Sequence, residues 1–352
     1  MDLSFYRGKK VFITGHTGFK GSWMCKVLIM NGAEVMGYSL NPNTAPSLFE
    51  IINLENKINH RVGDIRDLAS LRSSIDEFQP EIVFHMAAQP LVRESYKNPV
   101  DTYEINVMGT VNICEAIRHC PSVKSFINIT TDKVYKNNEW EWGYRENDVM
   151  NGFDPYSNSK SCSELVTSSY GNSYFKYMSE LAVSTCRAGN VIGGGDFSED
   201  RIIPDCIRAA MSGEDIQIRN PKSIRPYQHV LEPVIAYLFI GMRTYYDKSL
   251  AGNYNIGPNE KDCIETGDLA NLFCKSWGEA LKWVDLSDEN NVHEANFLKL
   301  DIAKVKSVFG LVPIWGISET IEKTIEWAKA YYNGVNINTL MEQQIISYMM
   351  EK

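Results

Sequence analysis

The chain has 352 residues, more than one compact core usually holds, so its length predicts two domains. Its hydrophobic content of 44% and charged content of 22% are typical of globular proteins, and its net charge of −9 argues against a nucleic-acid partner. No apolar run approaches the ~18 residues that a membrane span needs, so we expect neither a transmembrane segment nor a membrane partner.

The first half of the chain alternates apolar strands with helices. Strands are predicted at 9–14, 33–38, a stretch ending at 64, 82–88, 126–130 and 181–186. Helices are predicted at about 20–31, 99–120 and 156–174, and Asp67 is expected to cap another helix. The last three strands are nearly continuous apolar runs, which suit a parallel sheet covered on both faces. This order predicts an α/β fold of the Rossmann type, a doubly wound parallel sheet that binds ligands at the carboxyl ends of its strands.

The pattern loosens after residue 190. Three consecutive glycines at 193–195 predict a flexible junction, and residues 229–257 predict a helix and a strand that return to the sheet. We therefore predict two domains that are discontinuous in sequence. The nucleotide-binding domain comprises 1–190 and 227–257, and a smaller mixed α/β substrate domain comprises 191–226 and 258–352, with a packing helix at 340–349.

The cysteines and histidines show none of the spacings that mark a metal site. The eight cysteines form no Cys-x-x-Cys pair, and the six histidines show neither His-x-x-x-His nor His-Glu-x-x-His. Because several cysteines lie within apolar runs, we expect the reduced, buried thiols of a cytoplasmic protein. The first strand begins by residue 9, so we expect no signal peptide.

A glycine-rich turn joins the first predicted strand to the first helix. It consists of Gly15, His16, Thr17, Gly18, Phe19, Lys20 and Gly21. The first glycine permits a tight turn, the second allows a diphosphate to approach the backbone, and the third allows close packing of helix and strand. The helix N-terminus then presents unpaired N–H groups to the anion. An ordinary glycine-rich turn could have the same sequence, but the position of this turn between a strand and a helix favours nucleotide binding.

Tyr156 and Lys160 form a Tyr-x-x-x-Lys motif at the start of a predicted helix. The spacing puts the phenol and the ammonium on one helix face. A free tyrosine has a pKa of ~10, and a nearby cation favours its phenolate, so we expect Tyr156 to exchange a proton near neutral pH. A surface pair would show the same spacing, but the place of the motif one helix after the fifth strand favours catalysis.

The segment Thr131, Asp132 and Lys133 closes the fifth predicted strand. Consecutive strand residues face opposite ways, so both charged side chains reach one ligand only if the chain leaves the sheet here. Thr131 can then donate a hydrogen bond to a substrate oxygen, while Asp132 serves as an acid and Lys133 as a base. The alternative is a solvent-exposed loop in which Asp132 and Lys133 form an ion pair without a functional role.

Together these motifs resemble the extended short-chain dehydrogenase/reductases and, within them, the sugar-nucleotide 4,6-dehydratases. The resemblance covers nearly the whole chain. It is most specific at 15–22, at 139–148 with its two tryptophans, at 187–196 and at 225–233. Dehydratases of dTDP-sugars carry Asp-Glu after the threonine, whereas this chain carries Asp132 and Lys133, as in the branch that acts on CDP-glucose.

The resemblance implies an NAD-dependent lyase that converts CDP-D-glucose to CDP-4-dehydro-6-deoxy-D-glucose. It implies oxidation at sugar C4, loss of water across C5 and C6, and return of the hydride to C6. By the same resemblance, Tyr156 takes the 4-hydroxyl proton, Lys133 takes the C5 proton, and Asp132 protonates the departing C6 hydroxyl. Lys160 also binds ribose hydroxyls.

The resemblance further implies the residues that hold the two ligands. Besides the glycine turn, Tyr156 and Lys160, the NAD-binding set is Asn41, Asp64, Ile65, Ala87, Ala88 and Gln89, with Asn106 as a structural or ribose-side contact. The nucleotide-sugar set is Asn190, Arg201, Arg219 and Arg225. Asn41 stands where an acid often holds the ribose 2′-hydroxyl. His16 and Lys20 add positive character nearby, so NADP stays open beside the favoured NAD.

Three alternatives stay open on the sequence alone. They are a 4,6-dehydratase of another nucleotide sugar such as a GDP-sugar, a nucleotide-sugar 4-epimerase, and a non-catalytic NAD-binding sensor. An epimerase needs Tyr156 and Lys160 but not the acid–base pair, and the presence of Thr131 and Asp132 argues against a sensor. The resemblance also implies a homodimer or homotetramer, built by pairing the helices near 99–120 and 156–174 into a four-helix bundle.

Overall fold

A computed structural model describes residues 2–278, 281–287 and 297–351 of the chain. The parts of the predicted second domain at 279–280, 288–296 and 352 lie outside the described residues. The strands are β1 (Lys10–Thr14), β2 (Glu34–Ser39), β3 (Asn59–Val62), β4 (Ile82–His85), β5 (Ser125–Thr131), β6 (Ala182–Ala188), β7 (Val191–Ile192), β8 (Ile216–Ile218), β9 (Ile224–Pro226), β10 (Gln228–His229), β11 (Asn253–Ile256), β12 (Cys263–Glu265) and β13 (Trp283–Asp285).

Helices cover the sheet and connect its strands. They are α1 (Phe19–Met30), α2 (Leu48–Ile51), α3 (Leu68–Phe78), α4 (Val92–Lys97), α5 (Pro99–Tyr103), α6 (Gly109–Arg118), α7 (Pro155–Ser173), α8 (Ile202–Ser212), α9 (Leu231–Tyr246), α10 (Thr266–Trp277), α11 (Ala303–Phe309), α12 (Ile317–Tyr332) and α13 (Ile337–Met350). Asp67 caps α3, because its side chain accepts from the backbone N–H of Ser70 as predicted.

Seven strands form one parallel sheet in the order β11-β6-β5-β4-β1-β2-β3. The chain winds outward from β1 in two directions, through β2 on one side and through β4 on the other. A crevice opens at such a switch point, at the carboxyl ends of the strands. The predicted doubly wound, Rossmann-type fold is therefore confirmed. The strand at 253–256 joins this sheet beside β6, also as predicted.

Strand β5 shows how the sheet is covered on both faces. Its side chains alternate in direction, so Ile127 and Ile129 enter the larger apolar core that also contains residues of α1 and α9. Asn128 and Thr130 point the other way and form hydrogen bonds with side chains of α7. One strand therefore presents an apolar surface to one helix and a polar surface to another.

Several predicted elements differ from the structure, among them β3, which ends at Val62 and not at 64. Strand β4 ends at His85 and not at 88. The N–H of Met86 still donates to the backbone carbonyl of Thr14, but the N–H of Ala87 donates to the Thr14 hydroxyl. The helix predicted at 99–120 contains a π-helical segment, Glu104–Met108, between α5 and α6. Such segments in α-helices often occur at functional sites.

The chain after β6 builds a second apolar cluster and then returns to the first. Buried residues of β8, α8, α10 and α12 pack together in this smaller cluster. The final helix α13 contributes Met341, Ile345 and Tyr348 to the larger core that contains α1 and α9. Lys26 of α1 also pairs with Glu342 of α13 at 2.6 Å.

None of the helices in the described ranges is long and apolar enough to cross a membrane. The eight cysteines are all free thiols, and five of them are buried. Among residues 2–278, 281–287 and 297–351, no group of three or more histidine, cysteine or acidic side chains is placed to hold a metal ion.

Candidate active site

The glycine turn places three glycines in three different environments. Gly15 has φ +76°, and a Cβ there would lie 2.7 Å from the backbone nitrogen of Ala87 on the neighbouring strand end. A Cβ on Gly21 would lie 2.4 Å from the carbonyl oxygen of Gly15. At Gly18, the residue before α1, a Cβ would meet only that same oxygen at 3.5 Å. Two glycines are therefore needed for packing, while Gly18 leaves open backbone at the helix N-terminus, as a diphosphate requires.

His16 does not add positive charge to the turn, so that prediction is wrong. Its Nε2 lies 2.7 Å from Nδ1 of His60, and its ring packs edge-on against Phe49. A Cβ on Gly37 of β2 would overlap the ring at 2.3 Å. Burial, and secondly the neighbouring His60, lower the pKa of His16 to about 3, so the imidazole is neutral. The side chain fills space against β2 and faces away from solvent.

The predicted ribose and adenine contacts lie at the ends of β2 and β3. The hydroxyl of Thr17 lies 2.9 Å from that of Ser39 and 3.0 Å from the carbonyl of Leu40, which joins the glycine turn to the end of β2. Asn41 follows directly and is exposed. Its contact with ribose stays a prediction.

Asp64 and Ile65 follow β3. Two nitrogens of the Arg66 guanidinium, at 2.7 and 3.0 Å, bind one carboxylate oxygen of Asp64 and hold the pKa of that carboxyl below its usual range. Ile65 is buried against Gly109, where a Cβ would approach it to 2.8 Å. The structure thus brings both residues to the expected edge of the sheet without showing an adenine contact.

Asn106 braces the segment after β4 against α7. Its Oδ1 accepts from the backbone N–H of Gln89 at 2.9 Å, and its Nδ2 donates to the carbonyl of Gln89 and the hydroxyl of Ser159. Asn106 lies in the π-helical segment and is buried. Of the two roles implied for it, the structural one is visible here. The half-buried Ala87, Ala88 and Gln89 follow β4 at the same sheet edge.

Thr131, Asp132 and Lys133 lie where the chain leaves the sheet, as predicted. Strand β5 ends at Thr131, and a 3₁₀ turn begins at Asp132. The hydroxyl of Thr131 donates to one carboxylate oxygen of Asp132 at 3.0 Å, while the other oxygen has no hydrogen-bond partner among the described residues. Burial raises the pKa of Asp132, although Lys133 and Arg225 oppose it. A carboxyl with a raised pKa suits a general acid.

Tyr156 and Lys160 lie on the first turns of α7, whose N-terminus Asp154 caps by accepting from the backbone N–H of Ser157. Burial raises the pKa of Tyr156 to about 12, against the opposing effects of Thr131 and Arg201. The raised pKa favours the neutral phenol, because the cost of burying the charge exceeds the help from nearby cations. Proton exchange at Tyr156 near neutral pH stays a prediction. The ammonium of Lys160 donates to the carbonyl of Ile129 at 3.3 Å.

Lys20 extends from the glycine turn to the same cluster of charges. Burial, and secondly Arg201, lower its pKa to about 8, while Asp132 opposes both. Burial likewise lowers the pKa of Lys160 to about 7, with Lys20 as the next cause. The positive character that the sequence predicts near the turn therefore comes from Lys20, whose charge acts on Asp132 and Lys160.

The four residues predicted to bind the nucleotide sugar occupy different environments. Arg201 pairs with Asp196 at 2.9 Å, and its charge also acts on Tyr156. Arg225 is buried on β9 and acts on Asp132. Arg219 is exposed and pairs with an aspartate, Asp200, at 2.6 Å, while Asn190 follows β6 and its carbonyl accepts from Gln228. Their contacts with substrate stay predictions.

A buried ion pair behind the site has no counterpart in the sequence predictions. Arg187 of β6 binds Glu164 of α7, with Nε to Oε1 and a terminal nitrogen to Oε2, both at 2.9 Å. Both side chains are almost completely inaccessible to solvent. One signal was available, because Glu164 follows Lys160 by four residues and shares its helix face. The arginine partner lies on another strand, and spacing could not identify it.

A family model described as GDP-mannose 4,6 dehydratase matches residues 12–331 of the chain. The CDP-glucose 4,6-dehydratase of Salmonella typhimurium is 47% identical over 99% of this chain and 98% of its own length. The human dTDP-D-glucose 4,6-dehydratase is 27% identical over 95% of this chain and 94% of its own length.

Solved structures share the fold. A dTDP-glucose 4,6-dehydratase from Bacillus anthracis in complex with NAD superposes with a TM-score of 0.77 at 18% identity, covering 94% of this chain and all of that one. A UDP-glucose 4-epimerase from Thermus thermophilus in complex with NAD gives 0.78 at 24% identity, covering 91% of this chain and 99% of that one. With the family model spanning most of its length, this chain belongs to the GDP-mannose 4,6 dehydratase family.

Proposed function

We propose that the protein is an NAD-dependent lyase that dehydrates CDP-D-glucose to CDP-4-dehydro-6-deoxy-D-glucose. The observation that carries this proposal is the meeting of two sets of groups at one sheet edge. Asp132 and Lys133 suit the elimination of water, and Tyr156 with Lys160 suits proton exchange at a hydroxyl that is being oxidised. The 47% identity to a CDP-glucose 4,6-dehydratase supports CDP as the nucleotide.

The residues present fit a dinucleotide. The open backbone at Gly18 and the N-terminal N–H groups of α1 would hold its diphosphate, with Asn41 beside the ribose and Ala87 to Gln89 along its middle. NAD would supply the hydride acceptor for sugar C4 and the hydride donor for C6. Because the dehydration has no net redox change, we favour NAD over NADP.

The protein's own groups would move three protons. Tyr156 would accept the proton of the 4-hydroxyl, with the hydrogen bond from Thr131 and the charge of Arg201 stabilising the phenolate once substrate is bound. Lys133 would remove the proton at C5, which the neighbouring ketone acidifies. Asp132, whose pKa is raised by its burial, would donate to the C6 oxygen as it leaves as water.

The test is incubation of the protein with NAD⁺ and a panel of CDP-, GDP-, UDP- and dTDP-glucose or mannose. We expect the alkaline absorbance of a 4-keto-6-deoxy product from CDP-glucose above all others. A GDP-sugar that outperforms CDP-glucose would overturn the substrate assignment. A cofactor that stays oxidised with every sugar nucleotide would favour a non-catalytic sensor.

The variant Lys133→Met separates the dehydratase from an epimerase, which the fold also accommodates. A dehydratase loses product formation with this substitution, by about 10²-fold or more, since general base catalysis contributes that much. An epimerase keeps its rate, because it needs only the groups on α7. The control is Lys136→Met, three residues further along the chain and outside the acid–base segment.

We also propose that the substrate binds between the two predicted domains, 1–190 with 227–257 and 191–226 with 258–352. Arg201, Arg219 and Arg225 would bind its diphosphate and base, because their planar guanidinium groups match phosphate oxygens. Arg201 and Arg219 are paired with carboxylates, which are negatively charged as a diphosphate is, so each guanidinium is already placed to bind an anion. Eight free thiols support a cytoplasmic location, where a 4-keto-6-deoxy product would feed deoxysugar and polysaccharide biosynthesis.

We propose a homodimer, or a dimer of dimers, formed across α5, α6 and α7. Large apolar side chains are exposed along these helices, with Val100 at 70%, Leu165 at 54% and Met108 at 50%. Such a concentration favours burial against a second copy. Replacing Leu165 by Glu should convert the dimer to monomers in sedimentation, whereas Val312→Glu, at an exposed valine elsewhere, should not. A parent protein that sediments as a monomer would contradict the proposal.

A further inference from the structure

The buried pair of Glu164 and Arg187 has a dense set of hydrogen bonds and lies outside the predicted acid–base residues. Besides Arg187, the carboxylate of Glu164 accepts from the hydroxyl of Thr130 and from that of Thr185 at 2.7 Å. Both of its oxygens are therefore fully used. Four hydrogen bonds from three side chains fix the carboxylate in one position.

Arg187 extends the network in the other direction. Its second terminal nitrogen donates to the hydroxyl of Tyr135 at 2.8 Å and to the carbonyl of Glu146 at 3.0 Å, and its guanidinium lies over the Tyr135 ring. Tyr135 in turn donates to Asn255 of β11 at 2.6 Å. The pair thus connects α7 with three strands and with the segment that carries the two tryptophans.

Two of these connections lead directly to catalytic groups. Glu164 lies one helical turn after Lys160 on α7, and its charge opposes the effect of burial on Lys160. Thr130 lies two residues before Asp132 on β5. The carboxylate of Glu164 therefore joins the element with the proton-exchanging tyrosine and lysine to the element with the acid–base pair.

We propose that Glu164 and Arg187 are positioning residues that hold these two halves of the catalytic machinery at a fixed separation. The inference rests on the dehydratase function proposed above. An apolar contact between α7 and β5 would stabilise the protein as well but would not fix the register of helix and strand, because apolar attraction is not directional. Hydrogen bonds to one buried carboxylate define a single geometry. Small misplacements of reacting groups are costly in rate.

The test compares two threonine-to-valine substitutions that remove hydroxyls from the same carboxylate. Thr130→Val removes the donor on β5, next to the acid–base segment, and Thr185→Val removes the donor on β6, away from it. Both lose one buried hydrogen bond, so we expect similar decreases in thermal stability. We expect Thr130→Val to lower kcat about tenfold with KM within twofold, and Thr185→Val to keep kcat within about twofold.

A double variant, Glu164→Gln with Arg187→Met, supplies a second measurement. Replacing both members of a buried pair by uncharged groups of similar size often leaves stability unchanged. We expect a folded protein with a low kcat and slow NADH accumulation in a single turnover. If the double variant keeps both the parental kcat and the parental thermal stability, the pair has a purely structural role and the inference is overturned. Equal kcat values for the two valine variants would overturn it as well. An inactive parent protein would instead contradict the proposed function.

Discussion

Helices α7 and α9 both pack on β5, from opposite faces, and they are held there by different interactions. The buried residues of α7 are Tyr156, Ser157, Ser159, Lys160, Ser161, Ser163, Glu164 and Thr167. Those of α9 are mainly aliphatic and include Leu231, Val234, Ile235, Leu238 and Ile240. Apolar burial stabilises in proportion to area, whereas buried hydrogen bonds favour one geometry. Hence α9 stabilises the sheet, and α7 defines where the proposed catalytic side chains of Tyr156 and Lys160 lie.

The largest expected effect tests the catalytic role of α7. Replacing Tyr156 by Phe should lower kcat by about 10³-fold, because general acid–base catalysis contributes roughly 10² to 10⁴. The ring keeps its buried place, so the melting temperature should change little. Steady-state kinetics and thermal melts measure both. A Tyr156→Phe variant with near-parental kcat would contradict the catalytic role proposed for α7.

The stabilising role of α9 predicts the opposite outcome. Ile235→Ala opens a cavity in the larger core and should lower the free energy of unfolding by about 3 kcal/mol, with kcat unchanged at low temperature. Ile346→Ala makes the same chemical change at a half-exposed position on α13 and should cost less than ~0.5 kcal/mol. Urea titration measures the difference. Equal losses would show that α9 does not carry the stability.

Each side of the sheet contains a buried, neutral histidine, so we expect acid to lower the stability of the protein through both. Burial lowers the pKa of His85, near α6 and α7, and of His229, beside Trp23 and Trp315, to about 3 from 6.5. The unfolded chain then binds protons that the folded protein excludes, so stability rises with pH between about 3 and 6.5. For each histidine, the free energy of unfolding should fall by about 2 kcal/mol between pH 7 and pH 5.

Unfolding titrations at several pH values measure this slope. His85→Gln and His229→Gln should each flatten it, and a variant with the parental slope would mean that its histidine gains a proton without unfolding.

The smallest effect concerns one hydrogen bond at the far end of α7. The hydroxyl of Thr167 accepts a hydrogen bond from the side-chain amide of Asn128 at 2.8 Å. Thr167 lies about three helical turns from the capping residue and away from the acid–base groups. Thr167→Val should lower the free energy of unfolding by about 1 kcal/mol and leave kcat unchanged. A loss of kcat here would extend the positioning role along the whole helix.

The order of strands and helices was predictable because it rests on local periodicity. The glycine turn, the end of β5 and the start of α7 were predictable for the same reason, since each motif is contiguous and its element follows from neighbouring residues. The sheet then brings them together, because parallel strands place their carboxyl ends at one edge. The predicted groups at Asp132 and Tyr156 therefore lie together even though the sequence gives no distance between them.

The predictions that were wrong depend on contacts distant in sequence. The end of β4 follows from the hydroxyl of Thr14 on another strand. The neutrality of His16 follows first from its burial and secondly from His60, and the raised pKa of Tyr156 likewise follows from burial that only the folded protein creates. The sequence predicts no role for Arg187, because its partner Glu164 is 23 residues away.

The docking of α13 has a consequence for synthesis on the ribosome. Met341 and Tyr348 complete the core that α1 begins, and Tyr348 donates to Glu232 of α9. Domains usually fold as units with the N-terminal one first, at about 5–20 residues per second. Here the nascent nucleotide-binding half must wait for residue 348 to leave the exit tunnel before its apolar surface is closed. During that interval the apolar surface of α1 and α9 that α13 covers stays exposed, and such surface is prone to aggregation during folding.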